Sequence, residues 1–131
     1  MKSTVRSGER IEITEVKVNN MTVRQLAEEL GWSVYTGNSN LERKVTGGYV
    51  SDLLSDVMGH AGEGEVWITL QSHMNVVAIA SLKELSAILL VKGIEPDKQV
   101  LEKASEEGIP VLGTSGQTFE TAGKLFHLLN S

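Results

Sequence analysis

The sequence predicts an α/β fold, a layered α/β/α domain built on a partly parallel, mixed sheet. Three observations carry this. Short apolar runs of strand composition alternate with helix-period segments through most of the 131 residues. The run from Ala87 to Val91 has the uninterrupted apolar character of a strand buried on both faces, as parallel strands are. The segment between Glu65–Leu70 and that run is long enough for a crossover helix, which parallel neighbours require.

Taken in order, residues 1–9 are polar and without periodicity and read as a flexible tail. Ile11 to Val18 alternates, with Ile11, Ile13, Val16 and Val18 as the apolar positions, and suggests an edge strand. Residues 1–20 thus form a tail with an edge strand, and 21–131 the α/β domain. The first helix is the best signed. Thr22 and Gln25 make a capping box, Met21 and Leu26 a hydrophobic staple, and Val23, Leu26, Ala27 and Leu30 one face, with Gly31 suited to the left-handed C′ position. Trp32 to Tyr35 reads as a short strand and Thr36 to Asn40 as a loop.

Thr46-Gly47-Gly48 reads as a turn built for close backbone approach, by a ligand or by another strand. Ser51-Asp52 suits the cap of a short helix carrying Leu54, Val57 and Met58. Gly59 to Gly64 is a glycine-rich break, and Glu65 to Leu70 a strand with Val66, Ile68 and Leu70 on one face. Met74 to Leu82 is assigned to helix, although so short an apolar run also fits a strand. Pro96 sits in the first turn of a helix presenting Val100, Leu101 and Ala104 and stopping at Gly108. Ile109 to Leu112 is a strand. Thr114 with Gln117 offers a second capping box, with Thr118 competing, and Phe119, Ala122, Phe126 and Leu129 are expected to face inward on the last helix.

Composition excludes several functions. There are no cysteines, so disulfides and thiolate metal sites are absent and a reducing compartment is implied. The net charge is −5, with no basic stripe and few aromatic residues, which argues against nucleic acid. No apolar run approaches a membrane span, and the basic first ten residues do not lead into a signal-peptide core. A soluble cytoplasmic protein is expected.

Thr46-Gly47-Gly48 followed by Tyr-Val-Ser-Asp-Leu-Leu-Ser-Asp, the stretch from Trp67 to Gly93 with its His73-Met74-Asn75, and the Gly108–Leu112 strand together resemble the DRTGG-domain family. The likeness runs from about Met21 to Leu129. It implies an α/β domain similar to the N-terminal domain of HPr kinase/phosphorylase, found elsewhere as an accessory module beside CBS domains in some pyrophosphatases and in phosphotransacetylases, and generally dimeric. Lys44 and Val45 stand where the family name has Asp and Arg, so no role of that pair carries over.

The residues argue against catalysis. A P-loop needs Gly-x-x-x-x-Gly-Lys-Ser/Thr, and Gly123-Lys124 is followed by Leu125, with Thr118 at the first glycine position. His60, His73 and His127 lack metal-ligand spacing. Ser51-Asp52 with His73 has no nucleophile elbow around it. Gly59 to Gly64 lies after a helix and before a strand, the reverse of a dinucleotide loop. No catalytic residue, metal or cofactor is expected.

The candidate ligand-binding residues are therefore Thr46, Gly47, Gly48, Ser51, Asp52, His73, Asn75, Thr114 and Ser115. The first group would cradle an anion at a helix N-terminus. The others follow strands, where open α/β sheets place their ligands. The function expected is a non-catalytic regulatory or ligand-binding module for an adenine nucleotide or another phosphorylated metabolite, acting as a homodimer. The alternative is a protein–protein adaptor without a small ligand.

Overall fold

The structure is a computed structural model and describes residues 3–7, 10–15, 21–37 and 40–131, the first two segments as backbone. Strands β1 (Ser3–Ser7) and β2 (Arg10–Glu15) pair antiparallel as a separate two-stranded sheet. The flexible tail expected over residues 1–9 thus contains a strand. The expected edge strand begins one residue early and pairs with that strand, not with the main sheet. The alternation carried on to Val16 and Val18 lies outside the described residues.

Helix α1 (Val23–Leu30) forms as its local signals dictate. The Thr22 hydroxyl accepts from the Gln25 N–H at 3.1 Å, the Gln25 side chain accepts from the Thr22 N–H at 2.9 Å, and Gly31 closes the helix at φ 72°. After it come β3 (Ser33–Val34), β4 (Gly47–Val50), α2 (Leu54–His60), β5 (Glu65–Thr69), α3 (Met74–Leu82), β6 (Ala87–Leu90), α4 (Lys98–Glu107), β7 (Val111–Gly113) and α5 (Thr118–Leu129). The main sheet has the order β3-β7-β6-β5-β4, with β4 to β7 parallel and β3 antiparallel to β7. Successive parallel strands are neighbours, each joined by one crossover helix.

Strand alternation builds two cores. Val66, Ile68, Ala87 and Leu89 point to the face covered by α1 and α5, where Val23, Leu26 and Leu125 meet them. Trp67, Ile88, Leu90 and Val111 point to the opposite face, against Val57 of α2, Val76, Val77 and Ala80 of α3, and Val100 and Ala104 of α4. The result is the predicted α/β/α layering. Val45 is 1 % exposed in the first core.

Several local expectations give way. Thr46-Gly47-Gly48 is not a turn: both glycines lie in strand β4, in register with Glu65 and Val66 of β5. A Cβ on Gly48 would lie 2.9 Å from Leu125 Cδ2, so this glycine lets α5 lie close on the sheet. Ser51-Asp52 does not cap α2, whose N-cap is Leu53 with no side-chain bond. Nor does Thr114 or Thr118 cap α5, which starts after Gln117. Thr114 instead accepts from Gly116 N–H within its own turn.

Phe119 and Phe126 do not face inward. They are 87 % and 70 % exposed, while Thr121 and Leu125 are buried. The inward stripe is rotated because Leu125 is the side chain that Gly48 admits.

Candidate functional site

The parallel strands end at a common carboxyl edge, and four turns gather there. The chain leaves β4 at Ser51-Asp52, β5 at Leu70–His73, β6 at Val91–Gly93 and β7 at Thr114–Gly116.

The first two turns are clasped. Asp52 Oδ1 accepts from Thr69 Oγ1 and from the Leu70 N–H, both at 2.7 Å. Gln71 Nε2 donates to the Asp52 carbonyl at 3.0 Å, and its N–H donates to Thr69 Oγ1 at 3.1 Å. The indole N–H of fully buried Trp67 donates to the Ser51 carbonyl at 2.7 Å. The Asp52 carboxylate is thus held by neutral donors and acts as a clip between strands.

The last two turns are joined by their backbones. The Lys92 N–H donates to the Gly116 carbonyl and the Gly93 N–H to the Thr114 carbonyl, each at 2.9 Å. Lys92 takes φ 61°, a left-handed conformation that Cβ-bearing residues rarely hold, and its side chain is exposed. Helices α3 and α5 begin at this same edge, each with no side-chain bond at its N-cap, His73 and Gln117 respectively. The N-terminus of α5 follows the Thr114–Gly116 turn that is bonded to Lys92 and Gly93, whereas α3 starts from the same edge on the opposite face of the sheet; each brings N-terminal N–H groups and a positive dipole end to that edge.

The expected site residues divide between two edges. Ser51, Asp52, His73, Asn75, Thr114 and Ser115 are all on the carboxyl edge. Thr46 and Gly47 are at the amino end of β4, roughly 16 Å of extended chain from Ser51. There Thr46 Oγ1 donates to the Glu63 carbonyl at 2.8 Å, and its N–H donates to the Gly64 carbonyl at 2.9 Å. No helix starts next to Thr46-Gly47-Gly48, and α2 begins from the far end of the strand. Lys92 was missed by the reading of the sequence, although the rule that selected the ends of β5 and β7 applies equally to the end of β6.

A separate titratable cluster lies below the Ser51 turn. Tyr49 Oη donates to Asp56 Oδ2 at 2.9 Å, and His60 Nδ1 lies 3.2 Å from Asp56 Oδ1. The Tyr49 bond, with help from Ser51 and His60, holds the Asp56 carboxyl below its ordinary range. The same bond raises the Tyr49 phenol. Asp56 therefore contributes stability that is present above its unfolded pKa and lost as pH falls through the lower folded value. Tyr49 contributes stability present below the ordinary phenol range and lost as pH rises through its raised value. In Asp56→Asn the Tyr49 phenolate is expected to appear at lower pH than in wild type, read by ultraviolet absorbance. An unchanged titration would show that the bond does not form in solution.

The chain matches the DRTGG domain family over residues 25–128. No curated protein matches it. Among solved structures it is similar to the CBS and DRTGG domains of the regulatory region of Clostridium perfringens pyrophosphatase, complexed with the activator diadenosine tetraphosphate, with a TM-score of 0.64 and 19 % identity. That likeness covers 86 % of this chain and 51 % of the other, so the chain spans about half the length of that regulatory fragment. The family match runs from within α1 to within α5 and takes in every strand of the five-stranded sheet: the chain belongs to the DRTGG-domain family.

Proposed function

We propose that this chain is a non-catalytic regulatory module that binds an adenine nucleotide or a related phosphorylated metabolite, and that it works as a cytoplasmic homodimer. The observation that carries the ligand is the Lys92 turn bonded to the turn that leads into the uncapped N-terminus of α5, with the uncapped N-terminus of α3 at the same sheet edge on the other face. Such an edge suits an anion, since backbone N–H groups, helix dipoles and a lysine all favour negative charge. His73, Asn75, Thr114 and Ser115 are the polar side chains at hand. Ser51 and Asp52 support the neighbouring turns. Thr46, Gly47 and Gly48 serve strand β4 and its packing. The solved neighbour's DRTGG domain belongs to a regulatory region crystallised with a dinucleotide activator, which is the kind of input proposed here.

Support for a non-catalytic role comes from Asp52, whose carboxylate is bonded to Thr69 and Leu70 and not to a histidine, so Ser51, Asp52 and His73 form no relay.

The test is thermal unfolding with adenine nucleotides, diadenosine tetraphosphate, cyclic dinucleotides and sugar phosphates in millimolar excess. A ligand at 100 times its dissociation constant stabilises by about 2.7 kcal/mol, a shift of several degrees. Lys92→Ala is expected to remove most of the shift and leave the unliganded midpoint unchanged, since alanine carries the same positive-φ strain as lysine. No shift from any compound would overturn the ligand reading in favour of the adaptor, for which the exposed Phe119 and Phe126 are the supporting observation.

A further inference from the structure

The outer face of α5 is apolar where a surface helix is ordinarily polar. Phe119 and Phe126 are two turns apart and almost bare, at 87 % and 70 % exposed. Gly123 lies between them, with nothing within 4 Å of where its Cβ would stand. Beside them a groove of about 440 Å³ opens between α5 and the end of α1, lined by Leu30, Phe119, Glu120, Gly123, Lys124 and His127 among others. Scattered exposed hydrophobics are normal in soluble proteins, but two bare aromatic rings two turns apart on one helix, the first of them lining a groove, form a patch.

We infer that this face is the homodimer surface, closed by antiparallel packing of α5 on the α5 of a second copy, with the two-fold axis passing close to Gly123. This rests on the homodimer reading and adds the surface and its geometry.

The pattern along α5 is self-complementary, as an isologous interface requires. An axis through Gly123 sets Phe119 level with the partner's His127, and Phe126 level with the partner's Glu120, at the groove beside Leu30. Each phenylalanine then enters apolar surface on the other copy. Gly123 removes side chains from the crossing point, so the helix axes approach at the short end of the usual 8–10 Å. The charges fit the same arrangement. Glu120 and the partner's Lys124 are offset by about 3 Å along the axis, two residues of helical rise. A parallel pairing would instead set Glu120 against Glu120 and Lys124 against Lys124.

The area favours a second copy over a short peptide. The two rings alone offer roughly 300 Å² per protomer, taking 150–250 Å² for a buried aromatic residue. That is more than a third of the about 800 Å² each partner gives to a stable interface. Leu30 and Leu128 in the groove and half-exposed Val50 on the adjoining strand β4 extend it.

The chain has no cysteine, so one introduced thiol reports cleanly. Gly123→Cys places it at the proposed axis, and Gly59→Cys, also in open space but on α2, is the control. Sedimentation should find the wild type dimeric at micromolar concentration. Under mild oxidation Gly123→Cys should cross-link at least tenfold faster than Gly59→Cys. The double variant Phe119→Glu/Phe126→Glu should raise the dimer dissociation constant at least a hundredfold with an unchanged circular dichroism spectrum, because neither ring supports the core. Glu120→Lys and Lys124→Glu should each weaken the dimer, and together restore it. A wild-type monomer at all concentrations would sink the homodimer reading and this surface with it. A dimer that tolerates the phenylalanine changes and cross-links no faster at Gly123 than at Gly59 would leave the dimer standing and overturn only the surface.

Discussion

Trp67→Ala should lower unfolding stability by about 3–5 kcal/mol, the range for truncating a large buried aromatic. Trp67 lies mid-strand in β5, with no exposed surface, at the centre of the core beneath α2, α3 and α4. Its removal opens a cavity that three helices and two strands would have to collapse to fill. It also strands the Ser51 carbonyl, which now accepts the indole N–H at 2.7 Å. Trp67→Phe separates the two contributions. It keeps most of the packing and loses the donor, and the hydrogen bond should account for about 1 kcal/mol. Urea unfolding by circular dichroism measures both. If the two variants are equally destabilised, the hydrogen bond and not the cavity dominates, and the packing account is wrong. Because Trp67 anchors the Ser51-Asp52 turn, Trp67→Phe should also loosen the carboxyl edge, seen as faster amide exchange at Asp52 and Leu53.

Gly48→Val should destabilise by about 1–3 kcal/mol, the usual range for overpacking a core, although valine favours strands. The Cβ alone would meet Leu125 Cδ2 at 2.9 Å, and Leu125 is 2 % exposed, with little room to turn aside. Its neighbour supplies the control. A Cβ on Gly47 meets nothing nearer than Glu65 Oε2 at 3.6 Å, so Gly47→Val should be near neutral. Two adjacent glycines in one strand thus have opposite expected outcomes. Leu125→Ala alone should cost about 2–5 kcal/mol. Combined with Gly48→Val it should cost less than the sum, because the valine enters the space that Leu125 leaves. Additive effects in that cycle would show that Gly48 and Leu125 do not touch.

What could be read from the residues was what short-range chemistry settles. The first helix is the clearest case. Thr22 and Gln25 are three residues apart, Gly31 ends the helix in the left-handed region, and each interaction is complete within a few residues of chain. The boundaries of α3, Met74 to Leu82, and the buried strand from Ala87 follow from composition and from the length of chain a parallel crossover requires. The candidates after β5 and β7 lie at the carboxyl edge because the rule that selects them depends on strand direction alone, whereas Ser51 and Asp52 are candidates as a helix cap.

The misreadings share one cause, namely partners distant in sequence. Thr46-Gly47-Gly48 looks like a turn until β5 is known to lie beside it and Leu125 above it. Asp52 has the composition of a helix cap. Its carboxylate goes instead to Thr69 and Leu70, which reach it only when the sheet assembles. Phe119 and Phe126 have the helical spacing of an inward stripe, and so does the stripe through Thr121 and Leu125. Periodicity establishes that α5 has an apolar face but not which way it turns. The close approach of α5 to β4 selects Leu125 for the core and leaves the two phenylalanines outside. Local hydrogen bonding and period are written within a few residues of chain, whereas the rotation of a helix about its axis is chosen by whatever packs beneath it.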